Sequence, residues 1–359
     1  MTHPTHSKSA PLSYPDIESA AARIAGRLRP VTVASAQSGN RHEAPTQTAA
    51  TWSAPPSSDP SGAGVHFALE FMQYTGTFKA RGAQNFIHTH LAEGTFPEAG
   101  VTIASGGNAG LACAWAARDA GVPATVFLPA DAPAVKVERL RSYGAEVRLT
   151  GSEYAEAALA CEEFVESSGA LASHAYDNPL IAAGAGTMMT EILSQIPDLD
   201  TVVVSAGGGG LFAGVATAAT FHGVRTVVVE PANCRALNAA LEAGGPVDVP
   251  VDSVAADSLG ARRATSLAVA AAQNDLITSV LVDDEQIVEA RRHLWGEHRL
   301  AVEHAAATAL AGIHGADGHG ASANSGGSAA SAASANYVPA PDEKVCVVLC
   351  GANTGLGDL

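Results

Sequence analysis

Short runs of β-branched and apolar residues alternate with longer Ala-rich segments along most of the chain. VTIA (101–104) passes through a Gly-rich turn into GLACAWAARDAG, and ATVFLP (124–129) precedes AVKVERLRSYG. TVVVSA (201–206) runs into GGGGLFAGVATAATFHG, RTVVVEP (225–231) follows at once, and KVCVVLC (344–350) leads into GANTG. Near-continuous Val runs, each followed by a segment of helical length, are the pattern of parallel strands covered on both faces. The expected class is therefore α/β with doubly wound sheets. The βα units are too many for one small sheet, which predicts two sheets with a cleft between them. Ahead of them, YPDIESAAARIAGRLRP (14–30) sets Ile17, Ala20, Ala21, Ile24 and Leu28 at helical spacing, with Pro30 after the end.

Two stretches break the pattern. Residues 36–64 are polar, Pro/Ser/Ala-rich and without period, and in 315–336 Gly, Ala and Ser make up 18 of 22 residues. Such composition buries too little apolar surface to offset the entropy of ordering. Both are expected to be flexible insertions, the second running to 341 before the last strand.

Composition narrows the function classes. The chain carries 20 Lys+Arg against 36 Asp+Glu, a net charge of −16, which excludes a phosphate-backbone binder. No apolar run is long enough for a transmembrane helix, and the N-terminal MTHPTHSKSAPLSYPD lacks the apolar core of a signal peptide. Five cysteines without a CxxC pair suit a reducing, cytoplasmic compartment and supply no zinc framework. The 13 histidines are scattered, with no set at metal-ligand spacing. The expectation is an enzyme or small-molecule binder, with no nucleic-acid or membrane partner.

Two Gly-rich turns carry the candidate chemistry. SAGGGGLFAG (205–214) follows a buried strand and opens a helix, so several backbone N–H groups and about half a positive charge meet at one point. That suits a phosphate. The turn lacks the GK[ST] of a Walker loop and is not a clean GxGxxG, yet Glu230 lies 20 residues past Gly210, which keeps a dinucleotide fold open on this motif alone. ASGGNAGLACAWAA (104–117) is a second such junction, and its Ser105 and Asn108 suit a carboxylate or phenolate oxygen, or serve only as helix caps. In a lysine-poor chain, Lys79 stands alone in TGTFKARGA (75–83) between Phe78 and a short Gly-Ala run.

Taken together and in this order, TFKARGA (77–83), SGGNAG (105–110), AGVPATVFLP (120–129) and SAGGGGL (205–211) resemble the fold type II pyridoxal-phosphate enzymes. Within them the chain looks like the serine/threonine dehydratases, as do HAYDNPLIAAGAGTMMTEI (174–192), VEP (229–231), ADSLG (256–260), VEHAAATAL (302–310) and CGANTG (350–355). The resemblance implies a tryptophan-synthase-β-like fold of two doubly wound α/β domains, with pyridoxal 5′-phosphate in the cleft between them. Residues 1–100 and 171–359 would form the large domain and 101–170 the small one. Lys79 would be the Schiff-base lysine and the base at the substrate Cα, and Phe78 would stack on the cofactor ring. Gly207, Gly208, Gly209, Gly210 and Leu211 would cradle the phosphate. Ser105, Gly106, Asn108 and Ala109 would bind the substrate carboxylate, with Asn108 also at the phenolic oxygen, and Cys350 would face the pyridine nitrogen.

Departures from the family pattern refine that picture. A thiol, with an ordinary pKa of about 8.5, is a neutral partner for the pyridine, which favours prompt β-elimination over a long-lived carbanion. Gly106 stands where racemases of the family carry a serine, and Ala109 where many biosynthetic dehydratases have His. Ala236 replaces the carboxylate six residues after the VEP glutamate, so no metal is expected there. The chain ends soon after CGANTG, so no C-terminal regulatory domain is expected. The function implied is an L-threonine/L-serine ammonia-lyase, expected as a homodimer. Hydroxyaspartate dehydration, serine racemisation, β-replacement and a non-catalytic nucleotide binder are the rivals.

Overall fold

The computed structural model describes residues 11–36, 64–313, 336–355 and 357. Expected insertions 36–64 and 315–341 therefore fall mostly outside the described residues. The end of the second departs from expectation. Tyr337 bridges Ile313, takes a hydrogen bond from Arg225 at 2.9 Å and donates to Glu343, so the chain is already fixed at 337.

The Val-rich runs become strands where the pattern places them. Six form one sheet: β1 (Val33–Ser35), β2 (Gly64–Ala68), β7 (Thr201–Ser205), β8 (Arg225–Pro231), β9 (Ile277–Val282) and β10 (Lys344–Val348), in the order β1-β2-β10-β7-β8-β9. Every pairing in it is parallel except β1 with β2. The other four, β3 (Val101–Ala104), β4 (Ala124–Leu128), β5 (Glu146–Leu149) and β6 (Leu171–Ala172), form a parallel sheet ordered β5-β4-β3-β6. The expected limit of the smaller unit at 170 thus falls one strand early, because Leu171 and Ala172 pair with Val101 and Thr102. A two-residue strand is too short to register in the hydrophobic pattern.

Helices cover both sheets. On the larger side are α1 (Tyr14–Ile24), α6 (Pro179–Gln195), α7 (Gly210–Phe221), α8 (Ala236–Ala243), α9 (Ala256–Leu259), α10 (Ser266–Ala271), α11 (Asp284–His298) and α12 (His304–Ala311). On the smaller side are α3 (Asn108–Ala120), α4 (Ala134–Ser142) and α5 (Tyr154–Ser168), while α2 (Lys79–Ala92) belongs to both. Helix α1 stops at Ile24, short of the expected 30, because Gly26 adopts a left-handed φ of 74° and turns the chain. No helix among the described residues is long and apolar enough to cross a membrane.

Small residues set the spacing of the central helices. A Cβ on Gly184 would lie 2.6 Å from the Arg81 carbonyl oxygen of α2, and one on Gly186 would lie 2.7 Å from the Gly214 carbonyl oxygen of α7. Residues two apart point about 200° apart around a helix, so AGAGT lets α6 press its two sides against two backbones at once.

Helix α2 is the hinge of this packing. Its Ala83, Phe86 and Ile87 join the core of the smaller sheet. Its Arg81, fully buried, reaches the other way to Glu70 (Nε–Oε1 2.6 Å, Nη2–Oε2 3.0 Å), to both oxygens of Glu191 (2.8 Å each) and to Thr187 (3.1 Å). Burial alone would lower the Arg81 pKa, but the Glu70 charge and the bonds from Glu191 and Glu70 override it and raise it. Burial raises the Glu70 carboxyl in spite of Arg81.

Removing Arg81 would leave the buried Glu70 charge without its partner, at a typical cost of about 3–5 kcal/mol for a broken buried pair. Arg81→Met is expected to lose stability of that order, read from urea unfolding of the apoprotein. A loss below about 1 kcal/mol would show that the cluster does not anchor α2.

Candidate active site

Each expected site residue lies at the carboxyl end of a parallel strand or on a segment bound to one, where open α/β sheets hold their ligands. Ser105 to Ala109 follow β3, Gly207 to Leu211 follow β7, and Cys350 follows β10. Lys79 arrives by a different route. Phe78 N–H donates to the Cys350 carbonyl at 3.0 Å, Ala352 N–H to the Gly76 carbonyl at 2.9 Å, and Thr77 forms an antiparallel bridge with Gly351. The TGTFK and CGAN segments are thereby zipped together, and Lys79 becomes the first residue of α2 beside Cys350.

The Lys79 amine donates to the Ala175 carbonyl at 2.7 Å and sits 4.9 Å from the centre of the Phe78 ring. Burial lowers its pKa from 10.5 to about 8, against the pull of Cys350 and Glu303. The positive end of α2 acts in the same sense as burial. The neutral amine is thus far more accessible near neutral pH than that of an ordinary lysine. Burial pushes the Cys350 thiol up to about 12, so it is neutral, and its sulfur lies 3.8 Å from Ser205 Oγ.

The glycine turn has the shape of a cradle. Gly209 holds a left-handed φ of 94°, and a Cβ there would lie 2.3 Å from that of Ala268. A Cβ on Gly208 would meet the Tyr176 ring at 2.2 Å. Side chains are thus excluded from the turn, which leaves its backbone N–H groups at the start of α7 open to an anion. A side-chain-free turn at a helix start suits a phosphate; Cys350 is tied to Ser205 just ahead of that turn, and Lys79 to Ala175, whose neighbour Tyr176 packs on Gly208. Pyridoxal phosphate needs those three elements.

On the β3 side, Asn108 opens α3, buried Ala109 follows it, and Ser105 Oγ takes a hydrogen bond from Gly107 N–H at 3.4 Å. Gly106 has no left-handed φ, and Leu128 Cδ2 lies 2.5 Å from where its Cβ would be. Glu230, kept open as a ribose ligand, is fully buried, and its two oxygens accept from Leu237 and Asn238 N–H at 2.8 and 2.7 Å. Burial pushes it up to about 8 despite those bonds. Both of its oxygens are thus engaged at the start of α8. No group of three or more His, Cys, Asp or Glu among the described residues is placed to hold a metal ion.

Several residues enter that the sequence motifs did not single out. Glu303, buried at 3% exposure, accepts from Asn108 Nδ2 at 3.0 and 2.9 Å and from Asn353 N–H at 2.7 Å. Burial raises its pKa against those bonds. Its place ahead of the Ala-rich α12 reads as an ordinary helix start, so only its inward turn gives it away. His174 Nδ1 accepts from Tyr176 and Asp177 N–H at 3.2 and 2.8 Å, folding the HAYDN strap that carries the Ala175 carbonyl and the Tyr176 ring.

Comparison with known proteins shows the family. Residues 40–351 match the family described as pyridoxal-phosphate dependent enzyme, and the chain belongs to that family. It is 39% identical over 258 residues to an L-threonine ammonia-lyase of Geobacter sulfurreducens, covering 71% of this chain and 64% of that protein. It is 33% identical over 297 residues to the human serine dehydratase-like protein, covering 82% and 86% of the two chains. Among solved structures it resembles maize serine racemase, with a TM-score of 0.77, 28% identity and coverage of 97% and 95%. The chain thus has the fold type II architecture, and its cofactor is pyridoxal 5′-phosphate.

The lowered lysine pKa sets a pH signature. Covalent capture of pyridoxal phosphate by the apoprotein needs the neutral amine, so its rate should rise with pH through about 8. The unfolded chain holds the extra proton between about 8 and 10.5, so apoprotein stability should also rise with pH across that window. Borohydride trapping followed by mass analysis reads the first, and Lys79→Ala should remove it. A midpoint near 10 would mean that the amine is not desolvated.

Proposed function

We propose that the chain is a pyridoxal-phosphate-dependent ammonia-lyase that converts L-threonine and/or L-serine to 2-oxobutanoate or pyruvate plus ammonia. The observation that carries the reading is the pairing of a desolvated Lys79 amine with a neutral Cys350 thiol across the TGTFK–CGAN zipper. The ammonia-lyase and dehydratase names of the relatives support it. When bound, the cofactor supplies the conjugated system that stabilises negative charge at the substrate Cα.

The remaining work falls to the chain. The amides of Gly207 to Leu211 would hold the phosphate, and Phe78 would pack against the ring. Asn108 and the start of α3 bind the substrate carboxylate, assisted by Ser105. Lys79 Nζ takes the Cα proton, a role open to it because its neutral form is accessible near pH 8. Cys350 gives the pyridine nitrogen no charge, which limits charge delocalisation and favours departure of the β-hydroxyl. The reading includes a cytoplasmic homodimer, which sedimentation of the purified chain and fractionation of its source cells test.

Racemisation is the second reading, favoured by the likeness to maize serine racemase. It needs a proton donor on the face of Cα opposite Lys79. Gly106 offers none, and Leu128 fills the space a side chain there would take. A panel of β-hydroxy amino acids is expected to yield 2-oxo acid and ammonia in equal amounts from L-threonine or L-serine, with no D-serine on chiral analysis. Lys79→Ala is expected to lose at least about a hundredfold in kcat, the lower end for a placed acid–base group. Appreciable D-serine from the wild type would transfer the assignment to the racemases.

A further inference from the structure

We propose that Glu303 is a positioning residue that fixes which end of the Asn108 side-chain amide meets the ligand. The inference rests on the pyridoxal-phosphate reading of the site and extends it to the selection of one amide orientation.

Two groups in the network have no choice of role. The Thr75 carbonyl can only accept and the Asn353 backbone N–H can only donate. The Thr75 oxygen takes its hydrogen bond from the Asn353 side chain at 2.9 Å, so that atom is Nδ2. The same nitrogen reaches Asn108 at 2.8 Å, so Asn108 presents Oδ1 there. Asn108 Nδ2 must then face Glu303, and it lies 3.0 and 2.9 Å from the two carboxylate oxygens. Glu303 Oε1 closes the ring by accepting the Asn353 N–H at 2.7 Å.

The Thr75 carbonyl and Asn353 set the Oδ1 end of Asn108, and the last two contacts each require an acceptor at position 303, which an ionised carboxylate offers on both oxygens and a carboxamide on only one. The oxygens of one carboxylate are too close together to take both diverging amide hydrogens. One Asn108 N–H is therefore shared between them, and the other is left for a ligand oxygen. Glu303 also joins the Asn108 turn to the segment carrying Cys350, since its own N–H donates to the Gly351 carbonyl at 3.0 Å. Asp257 opposes its charge and Lys79 favours it. With glutamine in its place, satisfying the Asn353 N–H would turn an NH2 toward Asn108 Nδ2. Asn108 would then flip, or one buried donor would lose its acceptor.

The test is a double-mutant cycle on the full chain loaded with pyridoxal phosphate: wild type, Glu303→Gln, Asn108→Ala and the double variant. The readout is the Kd for L-alanine, which has no β-leaving group, from the change in the visible spectrum. Borohydride-fixed cofactor on Lys79 is measured alongside. Glu303→Gln is expected to keep the fixed cofactor and to weaken L-alanine binding about tenfold. In the Asn108→Ala background the same change should cost no more than about twofold. Equal losses in both backgrounds would show that Glu303 acts independently of Asn108 and overturn the proposal while leaving the cofactor reading intact. A wild type that fixes no cofactor on Lys79 would overturn both. Should the glutamine variant not fold, Glu303→Asp, which withdraws the carboxylate by one methylene, carries the same cycle.

Discussion

The site depends on one piece of backbone pairing. Thr77 bridges Gly351, while Phe78 and Ala352 exchange hydrogen bonds with Cys350 and Gly76 across the same two segments. Residues far apart in sequence are thus held at the spacing of a short antiparallel ribbon, and Lys79 begins its helix beside Cys350. Without that ribbon the lysine would be one more charged group at a helix start. With it, the amine is buried beside a thiol that burial keeps neutral.

Burial has opposite consequences for the charged groups around this ribbon. Arg81 keeps its charge because Glu70 and Glu191 surround it, and it anchors the helix that starts at Lys79. Lys79 donates to a carbonyl and lies over a ring, and desolvation outweighs the pull of Cys350 and Glu303, so its pKa falls. Two residues apart on the same helix, one cation is locked and the other released. The difference lies in what each finds on its own side of α2.

Close packing decides what the site excludes. The glycine turn is kept free of side chains by Tyr176 and Ala268, and Leu128 occupies the space beside Gly106. Paired glycines on α6 press it closely against both α2, which begins at Lys79, and α7, which follows the glycine turn, and the strap ending at Asn178 leads into α6. The N-cap there is local chemistry, since Asn178 Oδ1 accepts from Leu180 N–H at 2.8 Å ahead of a helix that opens with Pro179. The strap's position across the cleft is not local, because it depends on β6 joining the smaller sheet.

The chain by itself determined the layered architecture, since continuous Val runs followed by Ala-rich helices have few ways to bury both faces. It also marked the glycine turn and the candidate lysine, each by the residues beside it in the chain, although the groups that surround them come from distant segments. Local signals could not supply the two-residue strand β6 or the fixed end of the second insertion at Tyr337. Each is held by a few backbone or side-chain bonds rather than by a periodic apolar face. The roles of Glu303, Asn353 and Glu230 were decided only by tertiary structure. A glutamate ahead of a helix reads alike whether it caps that helix, binds a ligand or turns inward. In this protein Glu230 spends both oxygens on the start of α8, whereas Glu303 spends its own on Asn108 and Asn353. A carboxylate's function follows from which donors reach it first, and those donors are brought by segments distant in the chain.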